Sequence, residues 1–163
     1  MIEQYDLSFL NLNSIERTLS SSQSNNHGLV SKGISSYNVG MPILAQPKLI
    51  GLNKVIKQYI KSYREKHNIS SLKLINSWFN ISGPGNNLKA HNHGESIISG
   101  AFYVSAGENT VPLIFPDTQV KPYSGLLVIF SSDLVHYTEE EQEQRIVISF
   151  NTDYEESTRY TGH

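Results

Sequence analysis

The chain of 163 residues contains no cysteine. Disulfides and thiolate metal sites are excluded, and any transition metal has to be held by His, Asp or Glu. Charge of one sign is also missing: 13 Lys and Arg stand against 15 Asp and Glu, a net charge of −2. That balance gives no argument for a nucleic-acid partner or a membrane surface. No stretch approaches the roughly 20 apolar residues that span a bilayer. The N-terminal run MIEQYDLSFLNLNS lacks the basic start and apolar core of a signal peptide. These absences predict a soluble protein, and the lack of cysteine suits a reducing cytoplasm. The length suits one domain over 1–163, and no repeat or low-complexity tract is present.

What is present divides into a helical and loop-rich part, about 1–70, and a strand-rich part, about 71–152. Leu12, Ile15 and Leu19 have helical spacing, with Ser14 as a candidate cap. Residues 20–40 are rich in Ser, Asn and Gly and read as a loop carrying at most one short strand. Leu52, Val55, Ile56, Tyr59, Ile60 and Tyr63 then follow i, i+3, i+4, i+7, i+8, i+11, which predicts a helix over 52–66. Lys54, Lys57, Lys61 and Arg64 form its solvated face.

From Leu72 the pattern changes. KLINSWFNI, SIISGAFYV, VPLIF, GLLVIF and RIVISFN are short, rich in β-branched and aromatic residues, and bounded by turn residues. The turns are Pro84-Gly85-Asn86-Asn87, Gly107-Glu108-Asn109 and Ser131-Ser132-Asp133, and Glu139 to Glu143 reads as a solvated loop. Such strands predict a mainly β protein with flanking helices, a jelly-roll or double-stranded β-helix of the cupin-like kind. Alternation places Arg145, Val147, Ser149 and Asn151 on one face, and Ile146, Ile148 and Phe150 on the other. Asn76, Trp78 and Asn80 likewise oppose Ile75, Phe79 and Ile81. The first sets predict a polar barrel interior, the second an outer face covered by helix or loop. A small barrel lined with polar groups is a binding site, because an ordinary core would be apolar.

Three histidines carry the chemistry. His91 and His93 lie two residues apart, so on extended backbone they point the same way and can grip one ion. His136 can complete a face of that ion, and Arg145 supplies a fixed fork for a carboxylate. His27, His67 and His163 read as structural. A second register, His93-Gly94-Glu95, would bring a carboxylate into the ligand set and leave His91 outside it.

Trp78-Phe79-Asn80, His91-Asn92-His93, Ser99 to Val104, Lys121 to Gly125, Phe130-Ser131-Ser132, His136 and Arg145 to Asn151 occur in that order. Upstream, Ser24 to Gly28 and Ser31 to Gly33 add a serine- and glycine-containing segment. Together they resemble the 2-oxoglutarate- and Fe(II)-dependent oxygenases found in tailed phages, notably cyanophages, and in bacteria. The resemblance implies a double-stranded β-helix that uses Fe(II), 2-oxoglutarate and O₂ and oxidises a C–H bond of an unidentified substrate, usually to a hydroxyl. It implies His91, His93 and His136 as metal ligands and Arg145 as the group binding the distal carboxylate of 2-oxoglutarate. Asn80 and Tyr103, expected on neighbouring strands, would line the same pocket. The chain departs from the usual two-His-one-carboxylate triad, since His93 stands where the carboxylate belongs. Two other classes fit the residues: a three-His metal dioxygenase that does not use 2-oxoglutarate, and a non-catalytic β-barrel binding or virion-associated module. A viral member would work in the host cytoplasm, and a homo-oligomer is compatible with everything above.

Overall fold

The computed structural model describes residues 1–22 and 33–155. The chain runs β1 (Ile2–Asp6), α1 (Leu12–Ser20), β2 (Ile34–Ser35), α2 (Ile50–Lys66), β3 (Leu72–Ser82), β4 (Ile98–Ser105), β5 (Leu113–Ile114), β6 (Gln119–Val120), β7 (Leu126–Ser131) and β8 (Arg145–Tyr154). Six strands form one sheet in the order β1-β7-β4-β8-β3-β2, with the pairings antiparallel. The facing wall is shorter and broken. It consists of the β5–β6 hairpin and two isolated bridges, Ile114 to Tyr137 and His91 to His136. The two walls make the expected double-stranded β-helix, with two helices on its outside.

Strand alternation sorts the core into two clusters. The outward set, including Phe79, Phe102, Ile129, Ile148 and Phe150, packs on Ile15 and Leu19 of α1 and on Leu52, Ile56, Ile60 and Tyr63 of α2. The inward set joins Ala101, Tyr103, Val128, Phe130 and Val147 to Leu113, Phe115 and Val120 of the short wall. Burying a Leu or Phe side chain stabilises by about 1.5–3 kcal/mol, so the helices are held by their apolar stripes. Gly100 sits opposite Phe150 and under its ring; a methyl group at this position would overlap that ring.

The start of α1 differs from the expected cap. Asn11 is the cap, its side-chain oxygen accepting the Ser14 N–H at 3.1 Å, so Ser14 is already within the first turn. Helix α2 begins at Ile50, after a 3-10 turn over Pro47–Leu49, and ends where Asn68 takes a left-handed φ of 54°. The first strand was not signalled: IEQYD is polar because β1 is an edge strand, paired on one side to β7. Glu3 on β1 meets Lys66 at 2.9 Å and His67 at 3.0 Å, and the Tyr63 hydroxyl donates to the Met1 carbonyl. His67 is therefore structural, as expected. Ile75 is a correction. A β-bulge interrupts the β3–β8 register at this residue, which leaves it 42% exposed instead of packed under a helix.

Candidate metal centre and active site

Backbone pairing builds the histidine cluster. His91 and His136 exchange both N–H to carbonyl bonds, at 3.2 and 2.9 Å, across the His91–His136 bridge. In an antiparallel pair, directly opposed residues project from the same face. The loop after them is tied by the His93 N–H, which donates to the Ser132 carbonyl at 2.8 Å. One ring nitrogen from each of His91, His93 and His136 lies within 4.8 Å of the others. Ring centroids are 4.4 Å apart for His91 and His136, 4.9 Å for His91 and His93, and 5.2 Å for His93 and His136.

The tautomers follow from the neighbours. His91 Nδ1 lies 2.7 Å from the Lys89 carbonyl, and His136 Nδ1 lies 3.0 Å from the Leu134 carbonyl. A carbonyl oxygen can only accept, so each Nδ1 carries the proton and donates it. The lone pair of each neutral ring is then on Nε2, the arrangement that orients metal-binding imidazoles. His136 is packed between Phe130, at 4.8 Å, and Phe115, at 5.9 Å. Burial, with the adjacent His136 and His91, pushes His93 down to about 4. Burial also pushes His136 down to about 4, with His91 adding to it and the Leu134 carbonyl opposing. Both rings are neutral at pH 7 and open to an electrophile.

The sign of the pH dependence follows. The unfolded chain takes up these protons near the ordinary value of 6.5, and the folded protein only near 4. The stability contributed is complete above 6.5 and is lost as the pH falls towards 4. The melting temperature of the metal-free protein should therefore drop across that window. The drop should flatten in a His93→Gln/His136→Gln variant; equal slopes would contradict the assignment.

The imidazoles line a cavity of about 310 Å³, which is also lined by Trp78, Asn80, Tyr103, Val147, Ser149 and Arg145. Strand register sets these neighbours: Asn80 and Tyr103 both pair with Val147, from opposite sides of β8. Arg145 begins β8 and is buried. Its Nε lies 2.8 Å from Glu141 Oε2, an ion pair whose N–H direction misses hydrogen-bond geometry. A terminal nitrogen donates to Ser82 Oγ at 3.3 Å. The Tyr103 hydroxyl also faces the guanidinium; burial pushes that phenol up, and Arg145 opposes. Asn80 Oδ1 is buried without a protein partner, and an orphaned polar atom in a cavity wall is a ligand-facing group.

The family model described as "Putative 2OG-Fe(II) oxygenase" matches residues 76–119, from within β3 through the His-x-His loop, β4 and β5 to the start of β6. No curated protein sequence matches the chain. Solved structures match over nearly its whole length. A prolyl-4-hydroxylase of Pseudomonas putida aligns at 15% identity and a TM-score of 0.68, covering 94% of this chain and 92% of that one. HygX of Streptomyces hygroscopicus, solved with nickel and 2-oxoglutarate, aligns at 11% identity and 0.72, covering 94% and 82%. A viral collagen prolyl hydroxylase of Paramecium bursaria Chlorella virus-1 aligns at 15% identity and 0.65, covering 94% and 96%. The chain shares the fold of these oxygenases, and its stretch 76–119 is similar to the 2OG-Fe(II) oxygenase family model.

His91, His93, His136, Arg145, Asn80 and Tyr103 all line one cavity. Glu95 does not: it is exposed, within the turn closed by the Ser96 N–H on the His93 carbonyl, and outside the ligand cluster. Asn80 and Tyr103 are not on neighbouring strands as expected, because β8 runs between theirs. Neither is Glu139 to Glu143 simply solvated. Glu141 is buried, accepts the Val111 N–H at 3.2 Å and pairs with Arg145. Glu143 accepts from the Asn109 N–H and the Thr110 hydroxyl, each at 3.0 Å. A lone Glu four residues before an inward Arg was the available signal, masked by the acidic run around it. Tyr37, from the loop before α2, was missed as well; its ring meets Trp78 edge-on at 4.9 Å on the cavity wall. His27, His163 and the segment from Ser24 to Lys32 lie outside the described residues.

Proposed function

We propose that the chain is an Fe(II)- and 2-oxoglutarate-dependent dioxygenase whose metal is held by Nε2 of His91 and His136 together with a ring nitrogen of His93. The observation that carries this reading is one cavity lined by three clustered imidazoles and a buried arginine. The donor set suits iron: neutral imidazole binds first-row transition metals, and no thiolate competes for softer ones. It carries one negative charge fewer than a triad with a carboxylate. Arg145 would take the distal carboxylate of 2-oxoglutarate, with Tyr103 and Asn80 beside it. Guanidinium suits that task because it is planar, permanently charged and able to bind a carboxylate through two parallel bonds. Trp78 and Tyr37 give the cavity an apolar wall that keeps water from the reacting centre. When bound, the iron supplies the dioxygen chemistry by which 2-oxoglutarate becomes succinate and CO₂ while a C–H bond of the substrate is hydroxylated.

HygX, solved with nickel and 2-oxoglutarate, supports the same pairing of metal and 2-oxo acid here. Among the described residues no carboxylate joins the cluster, which favours one second reading, a three-His dioxygenase that needs no 2-oxoglutarate. We place the protein in the cytoplasm, that of a host cell if the gene is viral, because a reducing compartment keeps iron ferrous.

The test is anaerobic reconstitution with Fe(II), followed by O₂ and 2-oxoglutarate, with succinate and O₂ uptake both measured. Succinate formation is the expected result. O₂ uptake without succinate would transfer the protein to the second reading. Failure to retain iron at one per chain would remove both.

A further inference from the structure

The ion pair between Glu141 and Arg145 has a geometry that the proposed chemistry leaves unexplained. Glu141 is almost completely buried, and its two oxygens do different things: one accepts the Val111 N–H at 3.2 Å, the other lies 2.8 Å from Arg145 Nε. Both neighbours are donors. A carboxylate turns an acceptor oxygen towards each, one by hydrogen bond and one by charge, whereas an amide would set an NH₂ against one of them. Its own backbone is pinned in turn, the N–H donating to the Asn86 carbonyl at 2.7 Å and the carbonyl accepting from Gly85 at 2.9 Å. The acid is thus anchored to two loops before it touches the arginine. On the guanidinium, Glu141 occupies Nε and Ser82 occupies a terminal nitrogen. The Tyr103 hydroxyl also faces the guanidinium, and the donors that remain belong to the terminal nitrogens of a residue that lines the cavity.

We infer that Glu141 is a positioning residue for the co-substrate: it holds Arg145 by the Nε side so that the terminal nitrogens meet the distal carboxylate of 2-oxoglutarate. The inference rests on the proposed reading of Arg145. Two effects oppose one another here. The negative charge of Glu141 weakens the attraction of the guanidinium for a second carboxylate, and the fixed orientation strengthens it. A buried guanidinium released from Glu141 keeps only the Ser82 and Tyr103 hydroxyls, which can follow it as it turns, so a lost orientation is not recovered by the ligand alone. Orientation therefore outweighs charge. The arrangement also confines the effect to ligands that carry a distal carboxylate.

The experiment compares two ligands of equal chain length on the Ni(II)-loaded protein by titration calorimetry: 2-oxoglutarate, and 2-oxopentanoate, in which a methyl replaces the distal carboxylate. The wild type should prefer 2-oxoglutarate. Glu141→Ala and Glu141→Gln should each weaken 2-oxoglutarate about tenfold or more, and leave 2-oxopentanoate unchanged. Glu141→Gln keeps the side-chain volume, so it serves if the alanine variant fails to fold. Equal weakening of both ligands would make Glu141 merely structural and overturn the inference, as would unchanged or tighter binding of 2-oxoglutarate. A wild type with no preference between the ligands would instead remove the reading of Arg145, and the inference with it.

Discussion

A His136→Ala variant is expected to come out of anaerobic reconstitution with Fe(II) carrying almost no metal, and to form succinate only at background. His136 is the buried member of the cluster, held by two phenylalanines and by the Leu134 carbonyl. Its loss leaves two half-exposed imidazoles, one of them on a loop, and two ligands cannot close a face of the ion. Removing only an outer partner of a metal ligand costs about 10–100-fold in affinity, so removing the ligand should exceed about a hundredfold. The fold should survive, because the lost ring was held neutral at the cost of its hydration. Metal analysis and a melting curve together check this. A Glu95→Ala variant supplies the contrast and should retain iron, since Glu95 is outside the cluster. If His136→Ala kept one iron per chain and Glu95→Ala lost it, the ligand set would have to be redrawn around Glu95.

The second large effect separates metal from co-substrate. Arg145→Ala should abolish succinate formation while leaving iron content at the wild-type level, because the arginine belongs to the cavity wall and not to the cluster. The same substitution strands the Glu141 carboxylate in the interior. Removing one partner of a buried pair typically destabilises by about 3–5 kcal/mol, a large share of the roughly 5–15 kcal/mol that holds a domain together. Arg145→Lys keeps the charge and should fold. It loses the planar fork, so it should recover turnover only in part. Loss of metal and turnover together in a folded variant would count against the assignment of Arg145.

Much of this geometry could be read from the chain. Period-two alternation in RIVISFN put Arg145 and Val147 inside and Ile146 and Ile148 outside, because a strand offers its side chains only two directions. The stripe in 52–66 foretold the buried face of α2 for the same kind of reason. What escaped depends on partners far along the chain. IEQYD becomes a strand only because β7 offers it an edge. Glu141 becomes buried only because Val111 and Arg145 arrive on either side of it, and nothing local separates it from its acidic neighbours. Ile75 broke the alternation because a bulge adds a residue without announcing it in composition. The histidines lay between these cases: the His-x-His spacing was readable, but the pairing of His91 with His136 is a matter of topology.

Trp78 is the only tryptophan in the chain, and it stands in the cavity wall 6.0 Å from the His93 ring. The tryptophan emission of the whole molecule therefore originates at the proposed site. A paramagnetic ion among the histidines would quench it, and a 2-oxo acid or substrate entering the cavity would change its polarity and shift its colour. The protein carries its own optical gauge of occupancy, usable before any turnover is seen.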